Sequence, residues 1–376
     1  MDKIEIMTTN AQVAELAGQL ATETSIAVDL EADSMHNYQE KVCLIQISTL
    51  QRTVLVDPLA ATDLSPFQPV FANPAIRKIF HAADYDMRSL KRDFNLSVHG
   101  LFDTMICAQL LGEERVGLAD LLRKYFSVEL NKKFQRADWS QRPLPAEMVR
   151  YAAEDTCHLH QLVAIFEERL LALERMSWAT EEFVLMEAVR FAESEGPLCL
   201  RFKGAGPLSR RERGVLEKLL QWREQEGARL NRPVYKVIGN GPVMEIAQRM
   251  PKFPGDLRGV HGLTPRLTDR YGRALLSAVR EGLEIPEAEL PQFPRQPRRA
   301  KDPGLEGKVK ALKQWRQQAA AEYALEPGVL INNATLETLA LAKPQSVADL
   351  NEVVGLKNWQ KEVLGEGLLS ALAGSL

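Results

Sequence analysis

The sequence predicts an α/β domain built on a mixed sheet, followed by two small all-α modules. Three observations carry that prediction. Strand-like apolar runs crowd residues 25–58 and then alternate with helical periods, the pattern of a sheet with both antiparallel and parallel neighbours. Past Gly196 no strand-like run remains. The C-terminal region then repeats itself at an offset of 93. Gln221-Trp222-Arg223 returns as Gln314-Trp315-Arg316, Pro251 as Pro344, Leu257 as Leu350, and Gly262-Leu263 as Gly355-Leu356.

At 376 residues the chain is long enough for two or three domains. We divide it into an α/β domain over 1–205, a first helical module over 206–284, a Pro- and Arg-rich linker over 285–304 and a second helical module over 305–376. The net charge of −3 hides a split. Residues 1–205 hold 21 Lys and Arg against 30 Asp and Glu, whereas residues 206–284 hold 15 against 9. An acidic first half beside a basic segment points to an anionic partner gripped by the first module. Arg210, Arg211 and Arg213 are the candidate handle there. The second module, at 7 against 8, is expected to pack or to shape the entry. No run of ~18 apolar residues exists, so no membrane span is expected. The N-terminus lacks a signal-peptide pattern and reads as cytoplasmic, and a monomer is expected. Cys43, Cys107, Cys157 and Cys199 are scattered without a C-x-x-C and read as reduced core thiols.

In chain order, NAQVAELAGQL (10–20) reads as a helix with Asn10 as its N-cap. SIAVDLE (25–31) is a strand. VCLIQIST (42–49) and TVLVDP (53–58) are two more, close enough in sequence to pair antiparallel. Residues 64–72 look helical. IRKIFHA (76–82) is a fourth strand leading into helix AADYDMRSLKRDF, where Asp84 is the candidate cap. HGLFDTMICAQLLG reads as a helix opening near Phe102 or Asp103, and 117–126 as another. NKKFQRADWSQRPL is a polar loop bearing aromatics. One long helix runs from Pro145 to Leu173, and a further one covers roughly 176–194.

The chemistry concentrates in three acidic features. In a strand, residues i and i+2 share a face, so Asp29 and Glu31 project together. Two adjacent carboxylates at the end of a buried strand repel and lose hydration. A hard divalent cation such as Mg²⁺ or Mn²⁺ relieves both penalties. The second feature is His81-x-x-x-x-Asp86, at a strand-to-helix junction. The third is Tyr151-Ala-Ala-Glu-Asp155, whose Tyr151 and Asp155 share a helical face while Glu154 points elsewhere. Singly, each has an ordinary alternative: Asp86 as a first-turn acid, Tyr151 as a core aromatic, Asp155 as a solvated acid. His81 reads as a packing residue outside any metal shell, and His158 and His160 face apart.

Together, D-x-E, H-x-x-x-x-D and Y-x-x-x-D resemble the DEDD superfamily of 3′→5′ exonucleases, in its tyrosine branch. The stretches LIQIST, FDTMICAQLLG, DWSQRPL and YAAEDT are similar to the ribonuclease D family. The paired C-terminal modules resemble the HRDC domain. The resemblance implies a ribonuclease H-like exonuclease domain and two HRDC bundles. It also implies a metal-dependent exoribonuclease that trims 3′ ends of structured RNA such as tRNA precursors. Asp29, Glu31, Asp86 and Asp155 would hold two divalent ions, about 3.5–4 Å apart, for phosphodiester hydrolysis. Asp29 would bridge, Glu31 and Asp155 would complete the nucleophile side, and Asp86 would serve the leaving group partly through water. Tyr151 would orient the attacking water. Tyr38, Lys132, Gln135, Trp139 and Arg142, on loops flanking the acids, are the substrate-binding candidates. Two rivals stand beside this reading: a DNA exonuclease of the same superfamily, and an RNA-binding protein with an idle centre.

Overall fold

In a computed structural model describing residues 4–131, 133–191, 195–294 and 304–374, six strands form one sheet. They are β1 (Glu5–Met7), β2 (Ser25–Ala32), β3 (Val42–Ser48), β4 (Thr53–Val56), β5 (Arg77–Phe80) and β6 (Leu101–Asp103). Their order is β1-β4-β3-β2-β5-β6. β2–β3 and β3–β4 pair antiparallel; β1–β4, β2–β5 and β5–β6 pair parallel, so the sheet is mixed. β2 lies near the middle, with Asp29 opposite Gln46 and Glu31 opposite Leu44. Ile26, Val28 and Leu30 fill the main core from one face, leaving Asp29 and Glu31 on the other.

The helices of this domain are α1 (Asn10–Leu20), α2 (Gln68–Ala72), α3 (Asp84–Phe94), α4 (Thr104–Leu110), α5 (Leu118–Phe126), α6 (Ala146–Cys157), α7 (Leu159–Ala172) and α8 (Met176–Glu187). α6 crosses β2, β3 and β4. Four details differ from the sequence reading. The cap of α1 is Thr9, one residue earlier than Asn10, in a capping box with Gln12. Residues 101–103 form edge strand β6, not helix; three residues are too few to show an alternation, and β1 escaped notice for the same reason. The long helix breaks at His158, whose ring stacks on Phe126 with centroids 6.0 Å apart. Asp84 does not cap α3: the cap position is Ala83, and Asp84 pairs with Arg88 on the exposed surface at 2.9 Å.

The first helical module comprises α9 (Arg210–Leu230), α10 (Val234–Val237), α11 (Asn240–Arg249) and α12 (Pro265–Glu284). The second comprises α13 (Leu305–Glu322), α14 (Pro327–Leu330), α15 (Asn333–Ala342) and α16 (Asn358–Ala373). The 93-residue offset is physical. Arg223 donates to the Ile238 carbonyl at 3.3 Å, and Arg316 to that of Ile331 at 2.8 Å. Left-handed φ recurs at Met250 and Lys343 and at Gly262 and Gly355. A Cβ on Gly272 would meet Leu257 at 3.4 Å, and one on Gly365 would meet Leu350 at 3.1 Å.

Contacts divide the chain into two compact units. One holds residues 1–32, 42–191 and 300–376, so the second module shares a core with the α/β domain. Trp178 of α8 stacks on Trp359 at 4.5 Å and 12°. Glu181 accepts from the amides of Asn358 and Trp359 at the start of α16, and Glu182 pairs with Lys357. Arg175 reaches the carbonyls of Leu110 and Tyr323 at 2.7 and 2.6 Å.

The other unit holds residues 33–41 and 192–299. Here the structure reassigns the arginines proposed as a handle. Arg211 donates to the carbonyls of Leu283 and Ile285, at 2.9 and 2.6 Å, closing the end of α12. Arg210 donates to Glu287 O at 2.8 Å, and Arg213 lies over Phe293 at 5.0 Å. The three neighbouring cations read as a surface patch, yet each has an intramolecular partner: the carbonyls at the end of α12 for Arg211, the Glu287 carbonyl for Arg210 and the Phe293 ring for Arg213. Leu290 is buried, so the start of the supposed linker packs on the first module, while 295–303 lie outside the described residues. No helix among the described residues is long and apolar enough to cross a membrane.

Candidate active site

Two helix starts are tied together beside the middle strands. Asp103, fully buried, ends β6 and caps α4 by accepting from the amides of Met105 and Ile106 at 2.8 and 3.3 Å. The same carboxylate accepts from the amides of Ala82 and Ala83 at 3.1 and 2.7 Å. Ala82 takes a left-handed φ of 68°, sparsely populated for a residue with a Cβ. This turn launches α3 so that Asp86, buried to 5% exposure, is held within electrostatic reach of Asp29 and Glu31. His81 Nδ1 pairs with the Thr104 hydroxyl at 2.9 Å, which keeps the imidazole occupied at the rim.

Asp29, Glu31 and Asp155 converge: each offers a carboxylate oxygen within 4.8 Å of the others. Asp86 stands outside this tight trio. Burial pushes Asp29 up to about 6. Burial, then the charges of Asp29, Asp155 and Asp86, push Glu31 up to about 10. Burial, then Asp29 and Glu154, push Asp155 up to about 8. Asp86 is held well above the usual carboxylate range by burial, then by Asp29 and Asp103. Four acids that resist ionising together form a site short of positive charge. The donors are all oxygen, so the set fits a hard divalent cation.

Tyr151 donates to Asp155, one turn on along α6. Burial, then the charges of Asp155, Glu31 and Asp29, raise its hydroxyl far above the ordinary phenol value. Its ring is clamped by Phe134, edge-on at 5.8 Å, and by Trp139 at 5.9 Å. Asp29, Glu31, Asp155 and Tyr151 line a cleft of about 440 Å³, together with His81, Gly117, Asn131 and Gln135, while Asp86 is not one of its lining residues.

Of the four substrate-binding candidates among the described residues, Gln135 alone lines this cleft. Trp139 is 1% exposed, packed behind Tyr151 and closed to a base. Arg142 makes a two-pronged pair with Asp57 at 2.6 and 2.7 Å and donates to the carbonyls of Cys43 and Trp139, so it anchors the loop. Tyr38 donates to Glu224 at 3.0 Å, while its amide bonds Asn231, within the second unit. Lys132 lies outside the described residues. Loop position and polarity do not separate groups that hold a loop from groups that hold a ligand. The rim at 117–120, Asn131 and the clamp residue Phe134 were missed; only the aromatic spacing Phe134-x-x-x-x-Trp139 hinted at the last.

Residues 4–171 match the 3′-5′ exonuclease family, and residues 212–279 and 306–372 each match the HRDC domain. Ribonuclease D of Pseudomonas paraeruginosa is 28% identical over 373 residues, 98% of each chain. The crystal structure of Escherichia coli RNase D, an exoribonuclease involved in structured RNA processing, matches with a TM-score of 0.76 at 25% identity, over 99% of both chains. The catalytic core of RRP6 from Trypanosoma brucei matches with a TM-score of 0.65 at 30% identity, over 75% of this chain and 80% of that one.

Proposed function

The chain belongs to the ribonuclease D family of 3′→5′ exonucleases and is an exoribonuclease; from that premise we propose that it trims the 3′ ends of structured RNA, tRNA precursors among them, releasing nucleoside 5′-monophosphates by two-metal-ion hydrolysis. The observation that carries the mechanism is the meeting of Asp29, Glu31 and Asp155 within 4.8 Å, with buried Asp86 in electrostatic reach of Asp29 and Glu31. Divalent ions held there, Mg²⁺ or Mn²⁺, would supply the Lewis acidity that activates a water and offsets charge on the leaving 3′ oxygen. Asp29, near the middle of the sheet, would be a ligand shared between them. Glu31 and Asp155 would complete the nucleophile side. Asp86, outside the tight trio, would serve the leaving-group side partly through water. Tyr151 keeps its proton at neutral pH and shares it with Asp155, so its hydroxyl orients the attacking water by a hydrogen bond to the oxygen instead of removing the water's proton. Phe134 and Trp139 hold that hydroxyl in place.

The test compares RNA and DNA of equal sequence, with Mg²⁺ or with chelator. RNA should shorten from its 3′ end with mononucleotide release, and chelation should stop it. Asp29→Asn should lower turnover by roughly 10³-fold, several kcal/mol of charge stabilisation, with RNA binding retained. Near wild-type turnover of Asp29→Asn would remove the two-metal mechanism, and equal digestion of DNA would redirect the substrate assignment.

A further inference from the structure

Each helical module has a groove at the same place in its fold, and the two grooves differ in charge. In the first, Lys252, Arg258, Arg273 and Arg280 line a cavity of about 710 Å³ whose floor includes Leu276 and Val279. All four cations are exposed, and among the described residues none is in an ion pair. Asp269 is the single acid among the lining residues. Arg273 and Arg280 are two helical turns apart on α12, roughly 10 Å. Phe253, beside Lys252, is 67% exposed.

In the second module, 93 residues later, the corresponding cavity is about 310 Å³ and keeps Pro344, Leu369 and Leu372 where the first has Pro251, Leu276 and Val279. The charges do not carry over. Gln345, Asn351, Glu366 and Ala373 stand at the positions of Lys252, Arg258, Arg273 and Arg280, and Ser346 at that of Phe253. Lys308 and Lys343, which border the second groove, both have partners. The duplicated scaffold thus preserves the shape in both copies but the free cations in one only. Scaffold maintenance explains the shared floor and leaves the first groove's four cations unexplained.

We propose that the groove of Lys252, Arg258, Arg273 and Arg280 binds the phosphodiester backbone of an unpaired RNA segment, with a base resting on Phe253. The inference rests on the exoribonuclease reading and moves the RNA handle away from Arg210, Arg211 and Arg213. Unpaired RNA is favoured because the exposed ring offers a stacking face beside the phosphate-binding charges. Guanidinium groups suit phosphate oxygens through paired N–H donors.

The test uses the full chain in chelator, with a fluorescent single-stranded RNA of about twenty nucleotides, titrated between 50 and 300 mM KCl. Each single-strand phosphate that is no longer neutralised lowers the log–log salt slope by about 0.7. Arg273→Ala/Arg280→Ala should therefore lower it by about 1.4. The charge-matched Lys310→Ala/Lys313→Ala, both exposed on α13, should leave it unchanged. Arg273→Lys/Arg280→Lys should retain most of the slope, which separates removal of charge from misfolding. Phe253→Ala should weaken binding by about tenfold without changing the slope. Hydrolysis of a dinucleotide should survive all of these changes. Equal slopes for the two alanine pairs would overturn the groove assignment while leaving the nuclease intact; failure of the wild type to hydrolyse RNA would overturn the reading beneath it.

Discussion

At the residue scale, charge and burial separate groups that the sequence places side by side. Asp84 and Asp86 stand two residues apart in HAADYD, yet Asp84 is an exposed partner of Arg88, while Asp86 is buried against Asp29. Asp86→Asn should lower turnover by orders of magnitude. Asp84→Asn should leave turnover near wild type and cost under about 0.5 kcal/mol of stability, the value of an exposed helical ion pair. An inactive Asp84→Asn with an active Asp86→Asn would reverse the assignment. The carboxyl shifts also set a pH dependence. Unfolded, these acids titrate near about 4; folded, Asp29 titrates at about 6 and Asp155 at about 8. The folded state therefore binds their protons more tightly. That contribution is fully present below about pH 4 and is lost as pH rises through 6 to 8. In chelator, Asp155→Asn should gain melting temperature relative to wild type between pH 5 and pH 9. With Mg²⁺ the wild type should recover the difference. A pH-independent gap would show that Asp155 carries no unfavourable charge in the folded protein.

At the element scale, the repeated helical unit has acquired two employments. α16 of the second module begins with Trp359, stacked on Trp178 and held by Glu181 and Glu182. The equivalent residue of the first module, 93 positions earlier, is Arg266, exposed at the start of α12. Trp359→Ala should cost about 3–5 kcal/mol in chemical denaturation, as large aromatic truncations in cores do. Arg266→Ala should fall within about 0.5 kcal/mol of wild type. Similar costs for both would remove the distinction. The recurrence of Trp-Arg, Pro and Gly-Leu was legible because each serves the module's own fold, as the Arg223 and Arg316 bonds show. The docking of one copy on the nuclease domain was not legible, because it depends on packing between residues such as Trp178 and Trp359 that lie far apart in sequence.

At the scale of the whole molecule, the proposed function would bring an RNA end to the cleft at Asp29 only after the terminal base has left its stack, and unpairing costs a few kcal/mol. The sequence holds no G-x-x-x-x-G-K-[ST] motor motif to supply that energy. A hairpin RNA with a 3′ tail of about ten nucleotides should therefore accumulate products ending near its stem when digested with Mg²⁺; smooth passage through the stem would sink this. The sequence alone determined the mixed α/β class, the two helical copies and the acids with Tyr151. Those features follow from local periodicity: Asp29 and Glu31 must share a strand face, and Tyr151 and Asp155 a helix face. Only the tertiary structure decided which loop groups line the cleft and which are scaffold. Trp139 clamps Tyr151, Arg142 serves Asp57, and Arg211 closes the end of α12. A cation or aromatic on a loop has the same signature whether its partner is an RNA or a distant carbonyl of its own chain, and folding alone brings that carbonyl within reach.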